Sequence, residues 1–419
     1  MTSEASDDGR RSYRQLVIAG TVGNVMEWYD FAVYGYFVRP IGQAFFPATS
    51  ETASLLAAYG AFAVGFLMRP LGAAVFGYVA DRIGRAYSLI WSIVAMAVPS
   101  FLIGLLPTYQ EVGLLAPLLV LLCRVLQGFA VGGEYIGSVV FLMERAPAGQ
   151  RGVAGSWPSV GSIFGFLVGS TLGAVIFGVM PHADVFAWGW RLPFLFGVAV
   201  GLTGYLIRRR IRSDEPPSRE GFPLAQAVRQ HPVQMLQSVG LAIVNGVGFY
   251  LMFSYVVTWL QLYARVTPHV SLLINSINMA IMMPVTLWGG WLSDKVGRKP
   301  VLVVAAAGLV ILSWPSLLLM RSGAPVEIFL GQLVFCLLIG VYSAVNPVIV
   351  AEMFPAAERS SAASVTYNVT LAVAGGTAPM VAIWLIDKTG DPMAMAFYLI
   401  FAAALSTAAS LWVRRPDVS

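Results

Sequence analysis

The stretch Gly77-Tyr78-Val79-Ala80-Asp81-Arg82-Ile83-Gly84-Arg85 returns half a chain later as Gly290-Trp291-Leu292-Ser293-Asp294-Lys295-Val296-Gly297-Arg298-Lys299. A second pair repeats at nearly the same offset. Glu144, Pro147 and Arg151 in E-R-A-P-A-G-Q-R keep their spacing as Glu352, Pro355 and Arg359 in E-M-F-P-A-A-E-R. Two motifs repeating at nearly one offset mark an internal duplication, so the chain reads as two copies of one plan. Working outward from these loops, apolar runs of about 20 residues, enough to cross a hydrocarbon core, occupy residues 16–37, 52–76, 87–106, 113–141, 153–178 and 190–207. The second copy gives 233–262, 270–291, 300–320, 326–350, 361–386 and 393–413. The sequence thus predicts an all-α membrane protein with twelve transmembrane helices in two pseudo-symmetric six-helix bundles. Its parts are a cytoplasmic segment 1–15, bundles 16–207 and 233–413, a linker 208–232 and a tail 414–419.

Composition agrees. The 419 residues are 58% hydrophobic and only 11% charged, with a mean hydropathy of +0.74, against roughly 25% charged in soluble domains. The linker contains R-R-R-I-R-S-D-E-P-P-S-R-E from Arg208, a polar, proline-bearing stretch that cannot span a membrane. The polar start, with Arg10, Arg11 and Arg14, leads into a long apolar run without a small-residue cleavage site, which reads as a retained helix and not a signal peptide. With both termini cytoplasmic, nineteen Lys and Arg fall on the cytoplasmic face and five (Arg39, Arg191, Arg265, Arg321 and Lys388) on the other, leaving Arg69 and Arg124 inside the membrane. That asymmetry fits the positive-inside rule. It also accounts for the net charge of +5 through loops facing anionic lipid, with no nucleic-acid partner needed. Cys123 and Cys336 read as packing residues, and the three histidines form no metal site.

Longer motifs carry a family resemblance. G-N-V-M-E-W-Y-D-F-A-V-Y-G-Y (Gly23–Tyr36), G-F-L-M-R-P-L-G-A (Gly65–Ala73), R-V-L-Q-G-F-A-V-G-G-E-Y (Arg124–Tyr135), W-R-L-P-F from Trp190, A-E-M-F-P from Ala351, and Y-N at Tyr367 leading into G-G-T-A-P at Gly375 cover nearly all the helices. With the two acid–base loops, the chain resembles the major facilitator superfamily and, within it, the metabolite:proton symporter branch. Ala86 departs from the superfamily loop, which usually has a base there. The resemblance implies proton-coupled import of a small carboxylate-bearing metabolite, an organic acid or a proline- or betaine-like zwitterion. The transporter would sit in a bacterial cytoplasmic (inner) membrane as a monomeric functional unit, driven by the proton gradient with no cofactor. It also implies alternating access about a midplane site. Rival readings are a proton-driven exporter and a transport-inactive sensor. An enzyme is not expected, since neither a nucleophile–base–orienter set nor metal-ligand spacing is present. Osmosensing members of the branch would carry a long coiled-coil tail; about a handful of residues follow the last span, so regulation of that kind is not expected.

An ionisable side chain inside a bilayer is functional by default. Glu27 and Asp30 lie mid-way along the first span and Arg124 about eleven residues into the fourth. At roughly 100° per residue, Asn24, Glu27, Asp30, Phe31 and Tyr34 share one face, as do Arg124, Gln127, Val131 and Glu134 on the fourth span. Opposite charges attract strongly in low dielectric, so Arg124 is expected to hold at least one of the two carboxylates. A solute anion that took over Arg124 would release that carboxylate to capture a proton from outside. The resemblance to sugar porters, in which an acid of the first helix works with an Arg of the fourth, ranks Asp30 before Glu27 as the coupling acid. The plainer alternative is an ion pair that only fixes helix packing.

Further candidates for solute contact are Tyr250, Ser254 and Tyr255 in the seventh span, Asn275 and Asn278 in the eighth, Tyr342 and Asn346 in the tenth, and Tyr367 and Asn368 in the eleventh. Interhelical hydrogen bonding competes with ligand contact for each amide. Tyr and Trp of the first and seventh spans would suit a quaternary ammonium group. The loop charges read as gates at cytoplasmic helix ends: Asp81 with Arg82 and Arg85, Asp294 with Lys295 and Arg298, and Glu144 with Arg151 or Glu352 with Arg359. Gly161, Gly165, Gly169 and Gly173 recur every fourth residue of the fifth span and are expected to pack a sliding interface.

Overall fold

The computed structural model describes residues 2–73, 75, 85–132, 134–208, 229–356 and 358–413. Twelve long helices run in chain order: α1 Thr2–Tyr36, α2 Glu51–Ala73, α3 Arg85–Leu105, α4 Leu115–Glu144, α5 Arg151–Val179, α6 Arg191–Arg208, α7 Pro232–Tyr263, α8 Pro268–Val296, α9 Arg298–Met320, α10 Pro325–Glu352, α11 Arg359–Thr389 and α12 Ala394–Trp412. Each coincides with one of the spans read from the sequence. Among the described residues nine are long and apolar enough to cross a membrane, ten if the helix pair bent by 55° beside Trp190 counts as one span. The others are α1, diluted by its own carboxylates and amide, and α3, of which the apolar part Trp91–Leu105 is short among the described residues.

Local chemistry sets the ends. Proline opens α7, α8 and α10, where its missing N–H costs nothing. The side chain of Thr267 accepts from Val270 N at the start of α8, and Gly297, at φ 94°, breaks the chain between α8 and α9. Two π-helical turns, Leu251–Tyr255 in α7 and Leu371–Gly375 in α11, widen those helices near the middle of the molecule, a position such turns often occupy at functional sites.

Glycine allows the closest approaches. A Cβ on Gly128 of α4 would lie 1.7 Å from Gly65 O of α2, and one on Gly72 would lie 1.8 Å from Phe129 O. Nothing larger than glycine fits that crossing, and it fixes Arg69 of α2 and Arg124 of α4 on adjoining backbones. On α5, Gly161 and Gly165 meet Thr21, Val25 and Tyr29 of α1, and Gly169 meets Ala32; only Gly173 reaches the second half, at Leu272. The stripe therefore packs α5 onto α1 within one half and not chiefly across a sliding interface. Across the halves, α5 lies along α8, with Gly152 and Gly290 in mutual contact.

A buried ion-pair site beside a central cavity

Two acid–base pairs descend from α1. Glu27 Oε1 accepts from Arg69 Nη2 at 2.6 Å, and both side chains are buried. Asp30 Oδ2 faces Arg124 Nη1 at 3.6 Å, beyond ordinary hydrogen-bond length. Arg124 therefore does hold a first-helix carboxylate, Asp30, whereas Glu27 is held by Arg69. The sequence placed Arg69 inside the membrane but gave it no role.

The surroundings of the pairs differ. Arg69 Nε donates to Asn368 Oδ1 of α11 at 3.2 Å, and its guanidinium lies 5.4 Å from the Trp28 ring and 5.3 Å from Phe66. Asn368 in turn donates to Gly132 O of α4, so this pair is tied to the second half. Arg124 stacks 3.7 Å over the ring of Tyr34, whose hydroxyl donates to Ala58 O, and none of its three nitrogens makes a hydrogen bond. Asp30 Oδ1 accepts from Ser100 of α3, which accepts from Gln127 of α4 at 2.8 Å. That cluster belongs wholly to the first half. Ser100 escaped the sequence reading because a single serine in an apolar helix gives no signal.

A central cavity with about 30 Å³ of free space lies between the halves, lined by Trp28, Tyr135, Ser159, Ser162, Ile163, Asn245, Gly246, Phe249, Tyr250, Ser343, Tyr367 and Leu371. That volume is on the order of one or two waters. Ring faces dominate it: Trp28 stacks on Tyr250 at 6.1 Å and Tyr135 on Tyr367 at 5.2 Å. Its polar side is a chain in which Ser343 donates to Asn245, and Asn245 donates to the Tyr367 hydroxyl at 2.9 Å. Of the expected solute contacts, Tyr250 and Tyr367 line this cavity. Arg124, Tyr34, Gln127, Tyr255, Tyr342 and Asn346 do not, and Asn24 donates to Gly20 O of its own helix. Asn275 is held by Tyr36, Ser170 and Gln332, Asn278 donates to Gln332 Oε1 at 3.4 Å as well as to Ile274 O of its own helix, and the Tyr342 hydroxyl donates to Leu241 O. These are interhelical locks. Asn245, Ser159 and Ser343, absent from the expectations, take their place.

Contacts between the halves cover the cavity on both sides. At the end that carries the repeated acid–base loops, Asp294 of α8 accepts from Gly152 N and Val153 N at 2.8 and 3.0 Å, placing a carboxylate on the N-terminus of α5. Arg298 holds Asp294 at 2.7 Å and Glu352 at 3.1 Å, and Arg359 faces Glu144 of the other half at 3.7 Å. The expected pairings Glu144–Arg151 and Glu352–Arg359 are thus exchanged, because docking brings α11 to the end of α4. Lys295 is exposed, and Glu134 is half-buried in α4. Asp81 and Arg82, and the side chain of Arg85, lie outside the described residues. On the other side Arg39 grips Glu51 at 2.7 Å and donates to Gln261 of α7 at 3.1 Å, while Tyr36 donates to Phe253 O.

Comparison with known proteins adds context. The family model described as the Major Facilitator Superfamily matches residues 21–347 and 266–419. A glycine betaine/proline/ectoine/pipecolic acid transporter of Dickeya dadantii is 34% identical over 424 residues, covering 97% of this chain and 84% of its own. A proline/betaine transporter of Escherichia coli is 34% identical over 415 residues, covering 95% and 82%. Among solved structures, a proton:xylose symporter superposes with a TM-score of 0.77 at 19% identity over 96% of this chain and 94% of that one. The inward-open xylose transporter of E. coli gives a TM-score of 0.74 at 21% identity, over 97% and 98%.

Proposed function

This chain belongs to the major facilitator superfamily, and from that premise we propose that it is a proton-coupled symporter importing a small zwitterion of the proline or betaine kind. It works as a monomer in a bacterial inner membrane, with both termini cytoplasmic and the proton gradient, not a cofactor, as its energy source. The curated relatives point to the solute class; the Lys and Arg asymmetry supports the orientation.

The observation that carries the reading is the loose Asp30–Arg124 pair. At 3.6 Å, with no hydrogen bond to the guanidinium, it is an ion pair poised to be remade. A proton on Asp30 removes one charge of the pair, and with it the attraction that fixes α1 against α4. Asp30 and Glu27 share one face of α1, so the negative end of a solute bound near Glu27 makes proton uptake at Asp30 more favourable. Proton and solute then become mutually dependent ligands. Loaded, the halves rock: the Asp294 cap on α5 and the Arg359–Glu144 contact break on one side, while Arg39–Gln261 and the Tyr36 contacts close the other.

The test is uptake of labelled glycine betaine and proline into proteoliposomes with acid imposed outside. Accumulation above equilibrium, collapsed by a protonophore, is expected, together with alkalinisation of the outside on solute addition. Acidification of the outside instead would favour export. If Asp30→Asn and Glu27→Gln both kept gradient-driven accumulation, the coupling assignment would be wrong.

A further inference from the structure

Around one end of the central cavity, three buried donors have no acceptor: Nη1 of Arg69, Nε1 of Trp28 and Oη of Tyr250. Their residues are 0%, 4% and 1% exposed, so solvent does not satisfy them. They come from α2, α1 and α7, yet they adjoin one another. The Arg69 guanidinium lies 5.4 Å from the Trp28 ring, Trp28 stacks on Tyr250, and Arg69 and Tyr250 both lie against the Phe66 ring, at 5.3 and 5.0 Å. A buried donor without an acceptor is destabilising. Three together, one of them cationic, define a place for an anion with several lone pairs, and a carboxylate is such a group.

The guanidinium fork makes this possible. Glu27 occupies Nη2 and Asn368 occupies Nε, leaving Nη1 for a further acceptor. Neither guanidinium lines the cavity itself, but Arg69 lies 5.4 Å from the ring of Trp28, which does, whereas Arg124 is covered by the Tyr34 ring at 3.7 Å. None of the residues lining the cavity is acidic, so a positive group there meets the faces of Tyr135, Tyr367 and Phe249 and the Asn245 and serine oxygens. Ring faces suit an alkylated ammonium better than a primary amine, which needs donors' worth of acceptors.

We propose that Arg69, with Trp28 and Tyr250, is the anchor for the carboxylate of the transported solute, Glu27 being the counter-charge that Arg69 keeps between cycles. The assignment rests on the zwitterion-symport reading and moves the solute's anion from Arg124, where the sequence expected it, to Arg69. Because Arg69 also holds Asn368 of the second half, occupancy of the anchor bears directly on how the halves meet.

The experiment is calorimetric binding to purified protein at one pH, with no gradient, using glycine betaine and choline, which share the trimethylammonium group but differ in the carboxylate. Two variants are compared with the unaltered chain. Arg69→Lys keeps a charge opposite Glu27 but loses the fork, and Glu27→Gln/Arg69→Gln removes both buried charges together, so neither leaves an unpaired ion in the interior. The Kd for glycine betaine is expected to rise roughly tenfold to a hundredfold in both, with the weaker binding of choline unchanged. Unaltered betaine affinity in the variants, equal weakening of both probes, or an unaltered chain that binds neither, would overturn the assignment. Failure of the symport reading shows separately: betaine would bind with the Arg69 dependence intact and yet not be accumulated by a pH gradient.

Discussion

In the first half, the buried charged residues are Glu27, Asp30, Arg69 and Arg124; at similar depth the second half holds neutral groups, among them Asn245, Asn275, Asn278, Gln332 and Asn346. The two halves share a backbone plan and repeat their loop motifs, but among the described residues only the first buries carboxylates and guanidinium groups in its interior. The difference separates two tasks. Charge in low dielectric is a place to keep and release a proton. Satisfied amides lock helices and present fixed dipoles, as Asn275 does between Tyr36, Ser170 and Gln332. Within the first half the same contrast recurs on a smaller scale. Glu27–Arg69 is short, hydrogen-bonded and tied to Asn368, whereas Asp30–Arg124 is long and confined to one half.

The sharpest way to break this comparison is to remove the proton site. Asp30→Asn is expected to abolish gradient-driven accumulation in proteoliposomes, a fall of at least about a hundredfold in uptake rate if Asp30 is the proton carrier, while solute exchange down its own gradient persists. Next in size is a stability effect. Arg124→Gln leaves Asp30 buried without a counter-charge and should lower unfolding stability by about 3 to 5 kcal/mol, most of it recovered in Asp30→Asn/Arg124→Gln; thermal unfolding in detergent reads both. A smaller effect belongs to the latch at Asp294. Asp294→Asn weakens the cap on α5 and the Arg298 contact by about 1 to 2 kcal/mol, shifting the population toward inward-open, measured as faster labelling of a cysteine placed at Ser159. Smallest, Asn275→Leu should cost about 0.6 to 1.7 kcal/mol of stability and leave the coupling of proton to solute unchanged. Loss of coupling there would erase the division between halves.

Much of this was legible beforehand. Apolar length alone placed the twelve spans, and a charged side chain in such a run announces itself, as Glu27, Asp30 and Arg124 did. Arg69 was visible at membrane depth, but lying near the end of its span it was not connected to Glu27. The connection depends on the crossing of α2 and α4 at Gly65 and Gly128, which only the packed structure shows. The exchange of gate partners was hidden for a similar reason. Spacing along the chain favours Glu144–Arg151 and Glu352–Arg359, whereas docking of the halves brings Arg359 to Glu144 and packing of α9 on α10 within the second half brings Arg298 to Glu352. Amides such as Asn275 and Asn278 resembled ligand contacts because type and depth are the same for a lock and a binding group. Only the partners distinguish them.

Proton uptake by Asp30 on solute binding is read by the pH change on adding glycine betaine to purified protein in weak buffer, near the pH of half-protonation. The unaltered chain is expected to absorb protons, and Asp30→Asn to bind betaine without absorbing them. Equal proton uptake by the two would contradict it.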